Sequence, residues 1–223
     1  MWIFIVSLST VLIYPLLINK EEIAMGKASQ IQLPQPISKG RISLEEAISK
    51  RRSQRTFREQ ELNLEQIGQL LWSAQGITAK VGGYNFRAAP SAGALYPMEI
   101  YLLTKGGFFH YLPEGHKLEI LDEKDLRKDL ASSVLGQEAI SQAPLDIVIC
   151  AVYSRVTSKY GQRGIKYVHI EAGHIAQNIH LQAVALGLAS VPIGAFDDTE
   201  VKKIFSLPLD CEPLYIIPVG YSD

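Results

Sequence analysis

Between residues 43 and 220 the spacing of apolar positions switches repeatedly between a helical and a strand-like period. Leu64, Ile67, Leu70, Leu71 and Ala74 recur at intervals of three and four, which predicts one buried helix face ended by Gly76. Ser43-Leu44-Glu45-Glu46 has the form of a capping box, with Glu46 able to reach back to Ser43, and predicts a helix to about Arg52. Met98–Leu103, Phe108–Leu112 and Leu118–Leu121 read as strands, the last two joined by a turn at Pro113-Glu114-Gly115. Asp146–Tyr153 is an almost continuous apolar run and predicts a strand covered on both faces. The longest helix is predicted from about Gly164 to Leu186. Residues such as Ile170, Ile175, Ile179 and Val184 cover most of its circumference, so it should lie at the centre of the fold. Glu123–Ser133, Gly136–Gln142 and Asp197–Phe205 are expected to be helical. Leu214–Val219 is expected as a final strand, placed at an edge by Pro213 and Pro218.

Strands and helices do not alternate regularly, so the expected class is α+β rather than a doubly wound sheet. One domain is expected over residues 43–223, preceded by a linker or arm at 25–42 that is rich in Pro and Gly. Residues 1–24 stand apart, because Trp2 to Ile18 carries no charge. Three readings stay open for this segment: a membrane anchor, a signal peptide, or a start at Met25. Lys20 and Lys27 follow it, so an anchored domain is expected to face the cytoplasm, with an exported position left open.

The formal charge is −1, so no net basic field favours nucleic acid, and any basic site must be local. Cys150 and Cys211 cannot build a disulfide framework or a four-thiolate metal site. Cys150 reads as a buried thiol, and a single bridge to Cys211 stays open. Glu171-x-x-His174 would put a carboxylate and an imidazole on one helix face. No second such motif is present, so a core histidine is expected and no metal centre.

Three segments could carry chemistry. Arg51-Arg52-Ser53-Gln54-Arg55, with Arg58 beyond, sets four arginines within eight positions. Guanidinium forks and a hydroxyl suit a monophosphate, although cations also suit the negative end of a helix. Ala89-Pro90-Ser91-Ala92-Gly93-Ala94 would let a flat ligand approach the backbone, or would form an ordinary turn. Ser190-Val191-Pro192-Ile193-Gly194-Ala195-Phe196 has the same small, apolar character and reads equally as a plain connection.

Taken in order, these segments resemble the nitroreductase superfamily, whose signature begins Arg-x-Ser-x-Arg/Lys. The chain resembles most closely the SagB-type, thiazole/oxazole-forming peptide dehydrogenases and their stand-alone relatives. Leu33-Pro34-x-Pro36, Leu71-Trp72-Ser73-Ala74-Gln75-Gly76, Ala89–Pro97, Lys159-Tyr160-Gly161, Glu171-Ala172-Gly173-His174 and Pro218-Val219-Gly220 carry the likeness. The resemblance implies a nitroreductase-like FMN fold, with a central, mostly antiparallel sheet flanked by helices and a long buried central helix. It also implies FMN at a homodimer interface. Arg51, Arg52, Ser53 and Arg55 would hold its phosphate and ribityl chain. Pro90, Ser91, Ala92 and Gly93 would pack at the isoalloxazine, and Pro192, Ile193, Gly194 and Ala195 would approach the ring from the other side. Ile165-Lys166-Tyr167 matches the place of a functional Lys-Tyr pair, so Lys166 and Tyr167 would be catalytic, or else a helix start and core packing.

The implied activity is hydride transfer between flavin N5 and a small-molecule or peptide substrate. It would run as azoline-to-azole peptide oxidation or as reduction driven by NAD(P)H. A redox-inactive flavin-fold protein, acting as a binding or assembly partner, is the alternative. Typical nitroreductases place Asn where Ala94 stands, Gln where Tyr96 stands, and often Glu-Gly where Gly194-Ala195 occurs. These departures point away from nitroaromatic reduction and toward the peptide-dehydrogenase branch.

Overall fold

The computed structural model describes residues 29–134 and 137–222. The chain runs β1 (Gln30–Gln32), α1 (Leu44–Lys50), α2 (Leu64–Gln75), β2 (Ile77–Val81), β3 (Tyr84–Arg87), β4 (Met98–Thr104), β5 (Gly107–Leu112), β6 (Lys117–Asp122), α3 (Arg127–Ser132), α4 (Glu138–Gln142), β7 (Leu145–Val152), α5 (Ser154–Tyr160), α6 (Arg163–Ala185), β8 (Ala189–Ser190), α7 (Asp198–Ile204) and β9 (Cys211–Gly220). Seven strands form one sheet in the order β1-β6-β5-β4-β7-β9-β8, with every pairing antiparallel, while β2 and β3 pair apart from it. The α+β expectation holds.

All eight residues of β7 are buried, because helices cover both sheet faces. Leu145, Ile147 and Ile149 meet Leu70 and Leu71 of α2 and Val168, Ala172 and Ile175 of α6. Val148, Cys150 and Val152 share the opposite core with Leu130 of α3, Ile140 of α4 and Val201 of α7. Cys150 and Cys211 are both buried free thiols, so the bridge left open by the sequence is not formed.

Local chemistry explains the helix ends. At α2, Asn63 accepts from the Gln66 amide at 2.8 Å and Gln66 returns the bond to the Asn63 amide at 3.1 Å, a complete capping box. Gly76 ends α2 for a steric reason: a Cβ there would lie 2.2 Å from Trp72 Cδ1. The box expected at α1 is only half made. Ser43 accepts from the Glu46 amide, but the Glu46 carboxylate turns to Lys50 at 2.6 Å.

Several expectations need correcting. The arm is partly built into the domain: β1 pairs with β6, and Leu33 is buried in the main core. β9 is not an edge strand, since it pairs with β7 along its length and with β8 on its other side. Pro218 directs its carbonyl to the Val191 amide, on the sparse β8 side. In an antiparallel strand a residue's donor and acceptor point the same way, so the N–H that proline lacks costs β7 nothing. α6 is buried on one side only. Lys166, His169, Ile170, Gly173, His174 and Gln177 form an exposed stripe. Membrane anchoring and the location inferred from it are also set aside. Among the described residues no helix is long and apolar enough to cross a membrane, and the segment at 2–18 lies outside the described residues.

Asp146, on β7, is fully buried, and neither carboxylate oxygen has a hydrogen-bond partner among the described residues. Burial pushes its pKa well above the ordinary carboxylate range, against the pull of Arg127. A raised folded-state pKa means that stability is full below the unfolded value and is lost as pH rises toward the folded one. Asp146→Asn or Asp146→Leu should therefore raise the thermal midpoint at pH 8 by a few degrees, corresponding to about 1–3 kcal/mol. The gain should shrink at pH 4, as measured by thermal denaturation at the two pH values.

Candidate functional site

The arginine segment and the third segment lie side by side. Ser53 forms a parallel bridge with Ser190, and the Gln54 amide donates to the Ser190 carbonyl at 3.1 Å. Behind this bridge, His180 of α6 meets the Ser190 hydroxyl through Nδ1 at 2.8 Å. Burial, helped by the positive charge of Arg51, pulls the His180 pKa down to about 4, so the ring is neutral at physiological pH. Its Nε2 is buried without a partner. Further along, Ile193 and Ile216 exchange both backbone hydrogen bonds, at 2.8 and 3.0 Å. This fixes the loop and leaves Gly194 and Ala195 exposed beyond it.

Arg52, Ser53, Arg55 and Arg58 are exposed, and Arg51 is half-buried. Arg52 turns back to the end of α1, where its guanidinium donates to the Ser49 and Arg51 carbonyls at 3.0 and 2.7 Å. That is the helix-end role. Among the described residues, no carboxylate pairs with Arg51, Arg52, Arg55 or Arg58.

The second segment is a strained turn. Gly93, Ala94 and Tyr96 have φ of 65°, 54° and 46°, and for the two non-glycine residues this left-handed conformation costs about 1–2 kcal/mol each. Contacts on Tyr96 hold it. Its amide donates to Ser91 Oγ at 2.9 Å, its carbonyl accepts from Arg155 at 3.2 Å, its hydroxyl accepts from the Arg87 amide at 3.2 Å, and the Arg87 guanidinium lies 4.5 Å from its ring centroid. A Cβ on Gly93 would fall 2.8 Å from the Tyr160 hydroxyl and 3.1 Å from Lys159 Nζ, so any other residue would add strain at this positive φ and displace those side-chain ends. Tyr160 meets Tyr167 edge-on at 5.2 Å. Beneath the turn, Glu171 of α6 is only 2% exposed and is flanked by the Ser91 hydroxyl and the Gln75 amide. Burial raises its pKa to about 7, against the lowering pull of Ser91, Gln75 and Arg87.

These two halves leave α6 from opposite sides. Glu171 touches the second segment and His180 touches the third, nine residues later. Nine residues of α-helix span about 13 Å and two and a half turns, so the side chains point in roughly opposite directions. Within one chain, therefore, the two small-residue loops are held on opposite flanks of α6.

The Nitroreductase family profile matches residues 48–221. The chain belongs to the nitroreductase family. A provisionally named nitroreductase of Methanocaldococcus jannaschii is 40% identical over 202 residues, covering 88% of this chain and 98% of that protein. The crystal structure of a provisionally named nitroreductase from Ralstonia eutropha superposes with a TM-score of 0.78 at 30% identity, over 90% of this chain and 93% of that one. A chain of the Escherichia coli microcin synthetase McbBCD complex, solved with truncated pro-MccB17 bound, superposes with a TM-score of 0.69 at 25% identity, over 96% and 85%. This likeness agrees with the SagB-type branch that the motifs resemble, and nitroreductase membership makes the chain an oxidoreductase-type enzyme.

In this nitroreductase fold the expected residues separate into two groups. Arg51, Ser53, Arg55, Pro192, Ile193, Gly194 and Ala195 lie around the Ser53–Ser190 bridge. Pro90, Ser91, Ala92 and Gly93 lie with Tyr160 across α6. Lys166 is exposed on the α6 stripe, whereas Tyr167 is half-buried against Tyr160. Glu171 and His174 do not share an environment: Glu171 is buried and His174 is exposed, so the core histidine is His180. Sequence reasoning missed His180 and Tyr96 as site-forming residues. It tied the pocket's shape to Tyr84–Arg87 and Gly136–Gln142 without placing either segment, and the structure sets Tyr84, Phe86 and Arg87 beside the second segment.

The Glu171 titration yields a test. Its folded-state pKa of about 7 lies above the ordinary 4.5, so it withdraws stability as pH rises through that interval. Glu171→Gln should flatten the fall of the thermal midpoint between about pH 5 and pH 8, because the Asp146 titration is common to both proteins and cancels in the difference. Parallel midpoint curves for the two proteins would contradict this.

Proposed function

We propose that the chain is an FMN-dependent oxidoreductase that works as a homodimer, with each flavin site shared between two copies. The observation that carries this reading is the arginine cluster, without carboxylate partners among the described residues, pinned by the Ser53–Ser190 bridge beside the open Gly194–Ala195 loop. Arg51, Ser53 and Arg55 would meet a phosphate with charge-assisted hydrogen bonds, while Pro192, Ile193, Gly194 and Ala195 offer backbone to a ring edge. His180 stays neutral and holds Ser190, so it keeps the bridge in place without adding charge.

The turn at Pro90, Ser91, Ala92 and Gly93 supplies the other wall, from the second copy. The exposed α6 stripe supports this pairing. Ile170 is 49% exposed, and Gly173 beside it would let a second helix approach closely. Bound FMN supplies a two-electron redox centre for an organic substrate. Lys166, on the same stripe, and Tyr167, which reaches the turn through Tyr160, are the residues we assign to proton handling. The motifs shared with SagB-type enzymes and the microcin synthetase likeness favour azoline-to-azole oxidation of a peptide; reduction driven by NAD(P)H is the other arm.

The purified protein should take up FMN, turn yellow and sediment as a dimer. Arg55→Ala should weaken FMN binding roughly tenfold or more, the size of a lost charge-assisted hydrogen bond. Ile170→Glu should break the dimer and the FMN site together. Lys166→Ala and Tyr167→Phe should keep FMN and lose on the order of 100-fold in turnover. A colourless protein indifferent to FMN, or a monomeric Ile170→Glu protein with full FMN affinity, would refute the shared site. Bound flavin that no donor can reduce would leave the redox-silent alternative.

A further inference from the structure

The β2–β3 hairpin stands outside the main sheet and forms one side of an open cleft of about 580 Å³. That volume is in the range of small-molecule sites. Its lining joins Tyr84, Phe86 and Arg87 of the hairpin to Ser91, Gly93 and Tyr96 of the strained turn. The hairpin is not explained by core formation, since Tyr84 and Phe86 are 60% and 42% exposed, with ring centroids 6.2 Å apart.

Arg87 is the unusual member. Its guanidinium is half-buried against the face of Tyr96, yet no carboxylate pairs with it among the described residues. The nearby acids are engaged elsewhere. Glu99 binds Arg155 and His110, and Glu171 is held by Gln75 and Ser91. A guanidinium has five N–H donors, and among the described residues the one side-chain acceptor that meets them is Gln75 Oε1, at a long 3.4 Å. Such a cation, partly out of water and with most of its donors left to solvent in the cleft, is a good anion receptor. Lys159, whose ammonium lies beside Gly93, adds positive potential at the same edge.

We propose that this cleft takes a substrate bearing a carboxylate next to a planar or aromatic group, with Arg87 as the anion anchor and Tyr84 and Phe86 as the aromatic rest. The proposal rests on the oxidoreductase reading, because it names the substrate class of that site. Tyr96 acts through Arg87, holding both its amide and its guanidinium, and is a positioning residue.

Benzoate and benzamide are suitable probes, being equal in shape and different in charge. Titrated by calorimetry into the FMN-loaded protein, benzoate should bind at least about tenfold more tightly, the size of a charge-assisted hydrogen bond. Arg87→Gln should abolish the preference, and Arg87→Lys should keep part of it. Tyr84→Ala should weaken both probes alike. Equal affinity of the wild-type protein for the two probes overturns the proposal, and this comparison needs no variant to fold. So does an Arg87→Gln protein that loses FMN while keeping the preference, since Arg87 would then serve the cofactor. If the wild-type protein takes no FMN, the oxidoreductase reading fails separately; the flavin-free protein still decides the anchor by the same comparison.

Discussion

The packing of α6 against the sheet is the constraint on which the rest depends. Val168, Ala172, Ile175, Ala176, Ile179 and Ala183 put a mostly small apolar face on the core, so the helix lies close to the strands and cannot rotate without opening them. That orientation fixes three polar side chains. Glu171 sits under the strained turn, Asn178 donates to the Ser73 carbonyl of α2 at 3.1 Å, and His180 braces Ser190. The helix thus acts as a ruler between two half-sites, and its remaining face stays free.

A slightly acidic chain can hold local cationic sites if its acids are occupied elsewhere. Glu99 serves Arg155 and His110, Asp125 serves Arg127 and Glu212 serves Lys202. Among the described residues, the arginines at 51–58 and Arg87 have no carboxylate partner. The pattern is one of withheld partners rather than excess positive charge, and it escapes any count of net charge. Burial does the complementary work on the acids: Asp146 and Glu171 are both pushed toward their neutral forms, so little opposing charge develops inside the domain at moderate pH.

Elements with long apolar runs were legible in the sequence. α2, β7 and α6 come from periods of 3.6 residues or from continuous apolar stretches, and their limits agree closely with expectation. The β2–β3 hairpin was overlooked although its signal is present: Ile77, Ala79 and Val81 alternate with Thr78 and Lys80, and Tyr84 and Phe86 with Asn85 and Arg87, about the Gly82-Gly83 turn. Most of the hairpin faces solvent, so its alternation points to no core face. Phase was the other weakness. Apolar content suggested that α6 was covered nearly all round, yet Ile170 and His174 point outward and His180 inward. The three loops were singled out by composition, but composition carries no distance, and the folded helix shows two of them on opposite flanks.

The left-handed turn at Gly93, Ala94 and Tyr96 also bears on how this branch departs from its relatives. Typical nitroreductases carry Asn at the position of Ala94, and Asn is among the few side chains at ease with positive φ. Alanine has no such tolerance, so the same backbone path must be enforced from outside, through the grip of Ser91, Arg87 and Arg155 on Tyr96. The bend is held by its neighbours rather than by the residue that occupies it. Changes in those neighbours would accordingly be transmitted to the shape of the turn.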